Sequence, residues 1–256
     1  MRDIKESVVE SLDGTSHEIF HYLPYILQDL REIGTDPITV SELLHNFADD
    51  EVPLKILDLG CGKGAVSVRL AKDYNCMVYG IDALPEFVES AKEFAIENGV
   101  YHKCVFSQGD IRDQYAYYHD FDVIILGAIG PVLGSVLESL KKVSGCLKST
   151  GLVVLDDGYI PDSSEFKHDK CNSHSEFLSQ IQNAGFKIVS ENVFDSDEMV
   201  IQNEVIYSAI KSRIAEMVNM YPEKASLFIE YLLNQEKEND ALENQLVCGV
   251  WLLERL

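Results

Sequence analysis

Residues 54–64 read LKILDLGCGKG, and the fold follows from how this stretch is read. An apolar run ends in Asp58, breaks into Gly60, Gly62 and Gly64 at alternate positions, and passes into the helical pattern AVSVRLAKD. The reading is a strand, a tight turn and a helix. Glycine belongs in such a turn because a Cβ forbids the backbone angles and keeps a ligand off the main chain. N–H groups at the start of the helix then face whatever binds. The same residues also read as G-x-G-x-x-A through Gly60, Gly62 and Ala65, a variant of the dinucleotide fingerprint, so the loop alone leaves the ligand open.

Working outward, strand and helix patterns alternate. CMVYGID (76–82) reads as a strand, and Pro85 opens a helix that Gly99 closes. KCVFSQGD (103–110) and the continuously apolar FDVIILG (121–127) read as further strands, the latter buried on both faces. A helix is expected from about Pro131 and a strand in LVVLDD after Gly151. Ser173 and Glu176 form a capping box for a helix ending at Gly185, before strand 186–194. Some fifty residues of helical pattern, broken at Tyr221-Pro222, precede the last strand candidate, LVCGVWLLE (246–254). This alternation predicts an α/β fold with a doubly wound parallel sheet.

Residues 1–50 read as helical. Ser16 caps an expected helix that Pro24 splits and Gly34 ends, and a Thr39/Glu42 capping box starts another. His17, His21 and Tyr25 make this segment aromatic and polar, as a substrate lid would be. The expected organisation is an N-terminal helical lid (1–50), a core (51–196 and 244–256) and a helical cap inserted at 197–243.

Composition narrows the function classes. The 256 residues are 46% hydrophobic and 25% charged, as in ordinary globular chains. The start of the chain lacks the apolar stretch of a signal peptide, and no segment approaches ~18 uninterrupted apolar residues, so a soluble, cytoplasmic protein is expected. Six scattered cysteines form no C-x-x-C pair and predict neither disulfides nor a metal site. A formal net charge of −22 repels polyanions, which argues against nucleic-acid and anionic-membrane partners.

Ligands of a doubly wound sheet bind beyond the carboxyl ends of the strands. Those ends carry Asp58, Asp82, Gly109-Asp110, Gly127 and Asp156-Asp157. A carboxylate accepts both hydroxyl protons of a ribose diol, which suits Asp82; Asp110 suits an exocyclic amine, and Asp58 an ammonium or the loop's own N–H groups.

With these residues in view, 54–157 resembles the class I S-adenosylmethionine-dependent methyltransferases. Their D-x-G-x-G-x-G motif is matched in full by DLGCGKG, and Asp82, Gly109-Asp110, FDVIILG and CLKSTGLVVLDD match in turn. The resemblance implies a seven-stranded, mostly parallel Rossmann-like sheet whose seventh strand runs antiparallel at the edge. It implies S-adenosylmethionine as cofactor, with Asp58, Gly60, Cys61, Gly62 and Gly64 around the methionine portion. Asp82 and Ala83 would then lie at the ribose, Asp110 and Ile111 at the adenine, and Gly127 alongside. The long helical insertion is similar to the small-molecule branch related to quinone-biosynthesis and type-11 enzymes. GAIGP at 127–131 differs from the Asn/Asp-Pro-Pro-Tyr/Phe sequence of nucleic-acid amino-methylating enzymes, which points to a small-molecule acceptor. Asp156, Asp157 and Tyr159 are the candidates for a base or a cationic-substrate site; His17, His21 and Tyr25 are candidates for substrate contact. Two alternatives stay open: a nicotinamide-dependent oxidoreductase using Gly60, Gly62, Ala65 and Asp82, and a catalytically inert protein that keeps the nucleotide site.

Overall fold

The structure is a computed structural model and describes residues 3–47, 52–168 and 170–256. The expected boundary between lid and core, at 50/51, lies outside the described residues. Strands β1 (Leu54–Leu59), β2 (Cys76–Asp82), β3 (Cys104–Gln108), β4 (Phe121–Gly127), β5 (Leu147–Ile160), β6 (Asn172–Ser173), β7 (Phe186–Val193) and β8 (Val247–Arg255) form one sheet. Its order is β3-β2-β1-β4-β5-β8-β7, and the two-residue β6 pairs with β5. β8 is antiparallel to both β5 and β7, while the other pairings are parallel. The doubly wound sheet is therefore as expected. The last strand runs antiparallel as implied, but it lies inside the sheet, and β7 takes the edge. Six of the nine residues of β8 are buried, which suits an interior position.

Alternation along β4 divides the core. Val123 and Ile125 face one layer, with helices α3 (Pro37–Leu44), α4 (Ala65–Asp73) and α5 (Pro85–Glu97). Ile124 and Leu126 face the other, with α7 (Val136–Ser144) and α8 (His174–Asn183). The helices before β1 are α1 (Ile4–Ser11), the four-residue α2 (Leu23–Ile26) and α3; α6 (Ile111–Gln114) is a single turn. The inserted pair is α9 (Ser196–Met220) and α10 (Ala225–Asn244), broken at Tyr221-Pro222 as the sequence predicts.

A third apolar cluster joins the two helical additions. Leu23 and Ile26 pack with Ile210, Ile214 and Met217 of α9 and with Phe228 and Tyr231 of α10. Arg213 also grips Asp29, and the Tyr25 hydroxyl donates to Glu216 at 2.6 Å. These ion pairs are part-exposed and each contribute about 0–1 kcal/mol, whereas each fully buried aliphatic side chain contributes about 1.5–3 kcal/mol. Apolar burial therefore holds the N-terminal segment to the inserted hairpin.

Local chemistry corrects several boundaries. Asp36, not Thr39, caps α3: its carboxylate accepts from the Ile38 and Thr39 N–H groups, and the Thr39 hydroxyl turns back onto it at 2.6 Å. Ser16 caps only a 3-10 turn (His17–Tyr22), and the helical run stops at Ile26, well short of Gly34. The Lys63 ammonium captures the Leu27 and Leu30 carbonyls, which a continuing helix would have used for its own ladder. α7 starts at Val136 under a Ser135/Glu138 capping box, separated from the turn at Gly130–Leu133 by Gly134 at φ +103°. Strand β5 starts earlier than the expected LVVLDD, at Leu147, and runs on past Asp157 through Tyr159 to Ile160.

Candidate active site

The glycine loop is built on left-handed backbone. Gly60, Gly62 and Gly64 have φ of +79°, +52° and +79°. A Cβ on Gly60 would stand 2.6 Å from Ile129, and one on Gly64 would stand 2.9 Å from Ala91. At Gly62 the space beside the main chain is open, so the dihedral alone requires glycine and the backbone is left bare.

Asp82 fixes this loop from the end of β2. Its carboxylate accepts from the Gly62 N–H and the Leu84 N–H, each at 2.9 Å. Burial raises its pKa, and those N–H donors oppose the rise. Asp58 is 3% exposed and accepts from the Ser67 hydroxyl at 2.6 Å. Burial pushes it up to about 6, the Ser67 hydroxyl opposing and the Asp82 charge adding. Asp110 caps α6 and is held by the Arg112 guanidinium through both oxygens. Burial would raise its pKa, but the hydrogen bonds and charge of Arg112 outweigh it and lower it overall.

Seven of the expected cofactor residues, namely Gly60, Gly62, Asp82, Ala83, Asp110, Ile111 and Gly127, line one cleft. Asp58 and Cys61 lie in a smaller compartment behind the loop, beside Lys63 and Thr35. Gly64 stands against Ala91 at the start of α4. The cleft's far wall was missed from sequence: Ile4, Val8 and Leu12 of the first helix, together with Ile129 and Val132. Their signal was available as apolar residues spaced four apart in IKESVVESL.

A second cavity shares the Leu12, Ile33, Ala128 and Ile129 wall with the first. Asp156 and Asp157 line it from β5, and Ile206, Ile210 and Tyr231 line it from the inserted hairpin. Burial pushes Asp156 up to about 7; the Thr35 hydroxyl opposes this, and Asp157 and Asp36 add to it. That hydroxyl is buried and lacks a well-formed hydrogen bond. Asp157 rises to about 6 through burial, with the Gly158 N–H opposing.

The remaining candidates lie elsewhere. Tyr159 stacks on His174 at 4.3 Å and packs on Phe177 and Trp251 in the apolar layer. Strand alternation and the continuation of β5 put its ring there. His17 is largely exposed, 3.4 Å from Glu6. His21 is exposed beside Phe20, and Tyr25 is engaged by Glu216. None of Tyr159, His21 and Tyr25 lines either cavity, and His17 reaches only an outer groove.

The profile of the methyltransferase domain family matches residues 50–204, more than half of the chain. The chain belongs to that family. Ajmaline N-methyltransferase of Rauvolfia serpentina is 30% identical over 121 residues, 44% of this chain and 42% of that protein. An uncharacterized methyltransferase of Bacillus subtilis is 31% identical over 120 residues, 47% of each chain. These matches span about half the length of the curated relatives or less. The fold is shared with a methyltransferase of Geobacter sulfurreducens in complex with S-adenosyl-L-homocysteine, at a TM-score of 0.76, 19% identity, and coverage of 92% of this chain and 98% of that one. A methyltransferase of Thiobacillus denitrificans, also in complex with S-adenosyl-L-homocysteine, follows at 0.74 and 20%, with the same coverage. The matched region carries β1 through β7 and the start of α9, so the helices before β1 and most of the inserted hairpin fall outside it.

Proposed function

We propose that the chain is an S-adenosylmethionine-dependent methyltransferase acting on a small molecule, with the donor in the first cleft and the acceptor in the second. The observation that carries this reading is the wall common to the two cavities, which brings a donor and an acceptor together at Leu12, Ile33, Ala128 and Ile129. The bare backbone at Gly62 and the Cβ-free approach at Gly60 are a cradle suited to the donor's amino-acid portion, and the Asp82 carboxylate suits its ribose diol. When bound, the donor supplies a methyl group already made electrophilic by its sulfonium. Ile129 and the first helix wall the cleft, and holding donor and nucleophile in line contributes up to about 7–11 kcal/mol.

Asp156 is the proton acceptor for a nucleophile that arrives protonated, since a base titrating near neutrality is best matched to that task. Asp157 beside it favours a cationic or amine-bearing acceptor. The N-terminal segment serves as a lid and the inserted hairpin as a cap, together enclosing the acceptor. No helix among the described residues is long and apolar enough to cross a membrane. The six free cysteines suit a cytoplasmic setting. The acid-rich surface suits a small acceptor better than a nucleic acid or a membrane.

Calorimetric titration with S-adenosylhomocysteine and with NAD, on the wild type and on Asp82→Ala, tests the donor site. The expected result is binding of the sulfur nucleotide alone, weakened about 30- to 100-fold by the substitution, since a buried charged acceptor and its loop hydrogen bonds are lost together. Binding of NAD in its place would return the chain to the oxidoreductase reading.

A further inference from the structure

Thr35 follows Ile33 and Gly34, which line the second cavity, and itself lines the compartment behind the glycine loop. It is 7% exposed, and its hydroxyl is one of two buried side-chain polar atoms among the described residues without a hydrogen-bond partner. Buried hydroxyls are rarely left unpaired, so this one calls for an explanation. A Cβ built on Gly127 would stand 2.7 Å from Thr35 Oγ1, so Thr35 fills the space that a side chain at 127 would take. Gly127, at the end of β4, is the in-register partner of Asp156 on β5. Partners in register project to the same face: Val123 and Ile125 share theirs with Leu152 and Val154. Alternation carries Gly127 and Asp156 onto that face too. The Thr35 hydroxyl therefore stands beside the Asp156 carboxylate, over the part of β4 that Gly127 leaves open.

The segment that carries Thr35 is anchored on both sides. Before it, the Lys63 ammonium takes the Leu27 and Leu30 carbonyls; after it, Asp36 caps α3. The surrounding charges do not do what the hydroxyl can. Asp157 on the same strand and Asp36 on the segment both disfavour an ionised Asp156, and Cys248 of β8 is a neutral thiol pushed up to about 12. His168 and Lys170, which line the same cavity, are matched to Glu238 and Asp13. Of the groups that act on Asp156 among the described residues, the Thr35 hydroxyl alone favours the carboxylate.

We infer that Thr35 is the positioning residue for Asp156: its hydroxyl donates to the carboxylate and holds it ready for the proton of the incoming acceptor. This rests on Asp156 being the proton acceptor of the proposed reaction. Hydrogen bonds of this kind are often long or poorly aligned before substrate binds and tighten in the complex, which fits a hydroxyl placed beside its acceptor without bonding geometry. The N-terminal segment thereby contributes to the chemistry as well as to the enclosure.

The test is an NMR titration of the Asp156 carboxyl carbon in protein whose aspartates carry a carbon-13 label there, with Asp156→Asn identifying the resonance. Thr35→Val should raise the midpoint by about one pH unit, the worth of one hydrogen bond to a charged group. Thr35→Ser keeps the hydroxyl and should keep the wild-type midpoint. Chemical denaturation gives a second readout. Thr35→Val should cost more stability near pH 8.5 than near pH 5.5, because the lost donor serves the ionised carboxylate, and the same amount at both in the Asp156→Asn background. Thr35→Ala replaces the valine variant in both measurements if that variant does not fold. The inference is overturned if removing the hydroxyl leaves the midpoint in place, if Thr35→Ser moves it as far, or if the stability cost is independent of pH. The methyltransferase reading fails separately, through a wild-type protein that does not bind S-adenosylhomocysteine.

Discussion

The cleft proposed for the donor and the cavity proposed for the acceptor share a wall but are made in opposite ways. The donor cleft comes from residues close in sequence to strand ends: the loop after β1, Asp82 with Ala83, Asp110 with Ile111, and Gly127. Each is fixed by its own neighbours, as Gly62 is by Asp82 across parallel strands in register. The acceptor cavity is assembled from the N-terminal segment, the end of β5 and the two long inserted helices, which meet only through tertiary packing. Local motifs therefore specify the strand-end wall of the first, while its far wall is brought in by the first helix. The second depends on how distant helices seat against one another.

The sharpest way to break this comparison is Asp156→Asn, which alters the acceptor side alone. Removing a positioned base costs about 10²–10⁴-fold in rate. S-adenosylhomocysteine affinity should stay at the wild-type value. In the wild type kcat/KM should rise with pH through about 7, because the carboxyl must be deprotonated to accept a proton, and the variant should lose that acid limb. Full activity with an unchanged pH profile would remove Asp156 from the reaction.

A smaller effect is expected at the joint between the regions. Lys63 belongs to the glycine loop, yet the residue is only 6% exposed and its ammonium reaches the Leu27 and Leu30 carbonyls of the N-terminal segment. Burial lowers its pKa to about 8, so it remains charged at neutral pH. Arg31 adds a second tie, to the Ser90 hydroxyl at 2.9 Å and onto the face of Phe94. Lys63→Met leaves two carbonyls without their charged donor and should destabilise the chain by about 2 kcal/mol in chemical denaturation. Limited proteolysis should then cut first near 27–36, before the sheet opens. Loss of the sheet and the N-terminal segment in one step would show the regions to be a single cooperative unit.

These contrasts also explain what the sequence could convey. DLGCGKG, Asp82 and Asp110 were legible because backbone geometry and acceptor chemistry are local properties. The inward placement of β8 was not, since it follows from β8 pairing with both β5 and β7, which no local pattern encodes. Aromatic polarity pointed to His17, His21 and Tyr25, but packing uses such rings equally well, and Tyr25 is engaged by Glu216 across 191 residues of sequence. The end of helix α2 at Ile26 is set by Lys63, which no periodicity in the N-terminal segment could reveal.

The gentlest probe is the pH dependence of stability. Asp58, on the donor side, and Asp156 and Asp157, on the acceptor side, are pushed by burial to about 6, 7 and 6. In the unfolded chain such groups titrate near 4. Between those values the folded chain binds more protons than the unfolded one, so stability is fully present below about pH 4 for these groups and falls as pH rises through 6 to 7. Carboxylates held low by partners, such as Asp110 and Glu138, have the opposite sign but act only at more acidic pH. Tm should therefore be a few degrees higher near pH 5.5 than near pH 7.5. Asp58→Asn should flatten the part of this slope that belongs to the glycine loop, and Asp156→Asn the part that belongs to the acceptor floor. If Asp58→Asn alone flattens it, the buried proton lies under the donor, and the acceptor floor is wetter than its burial implies.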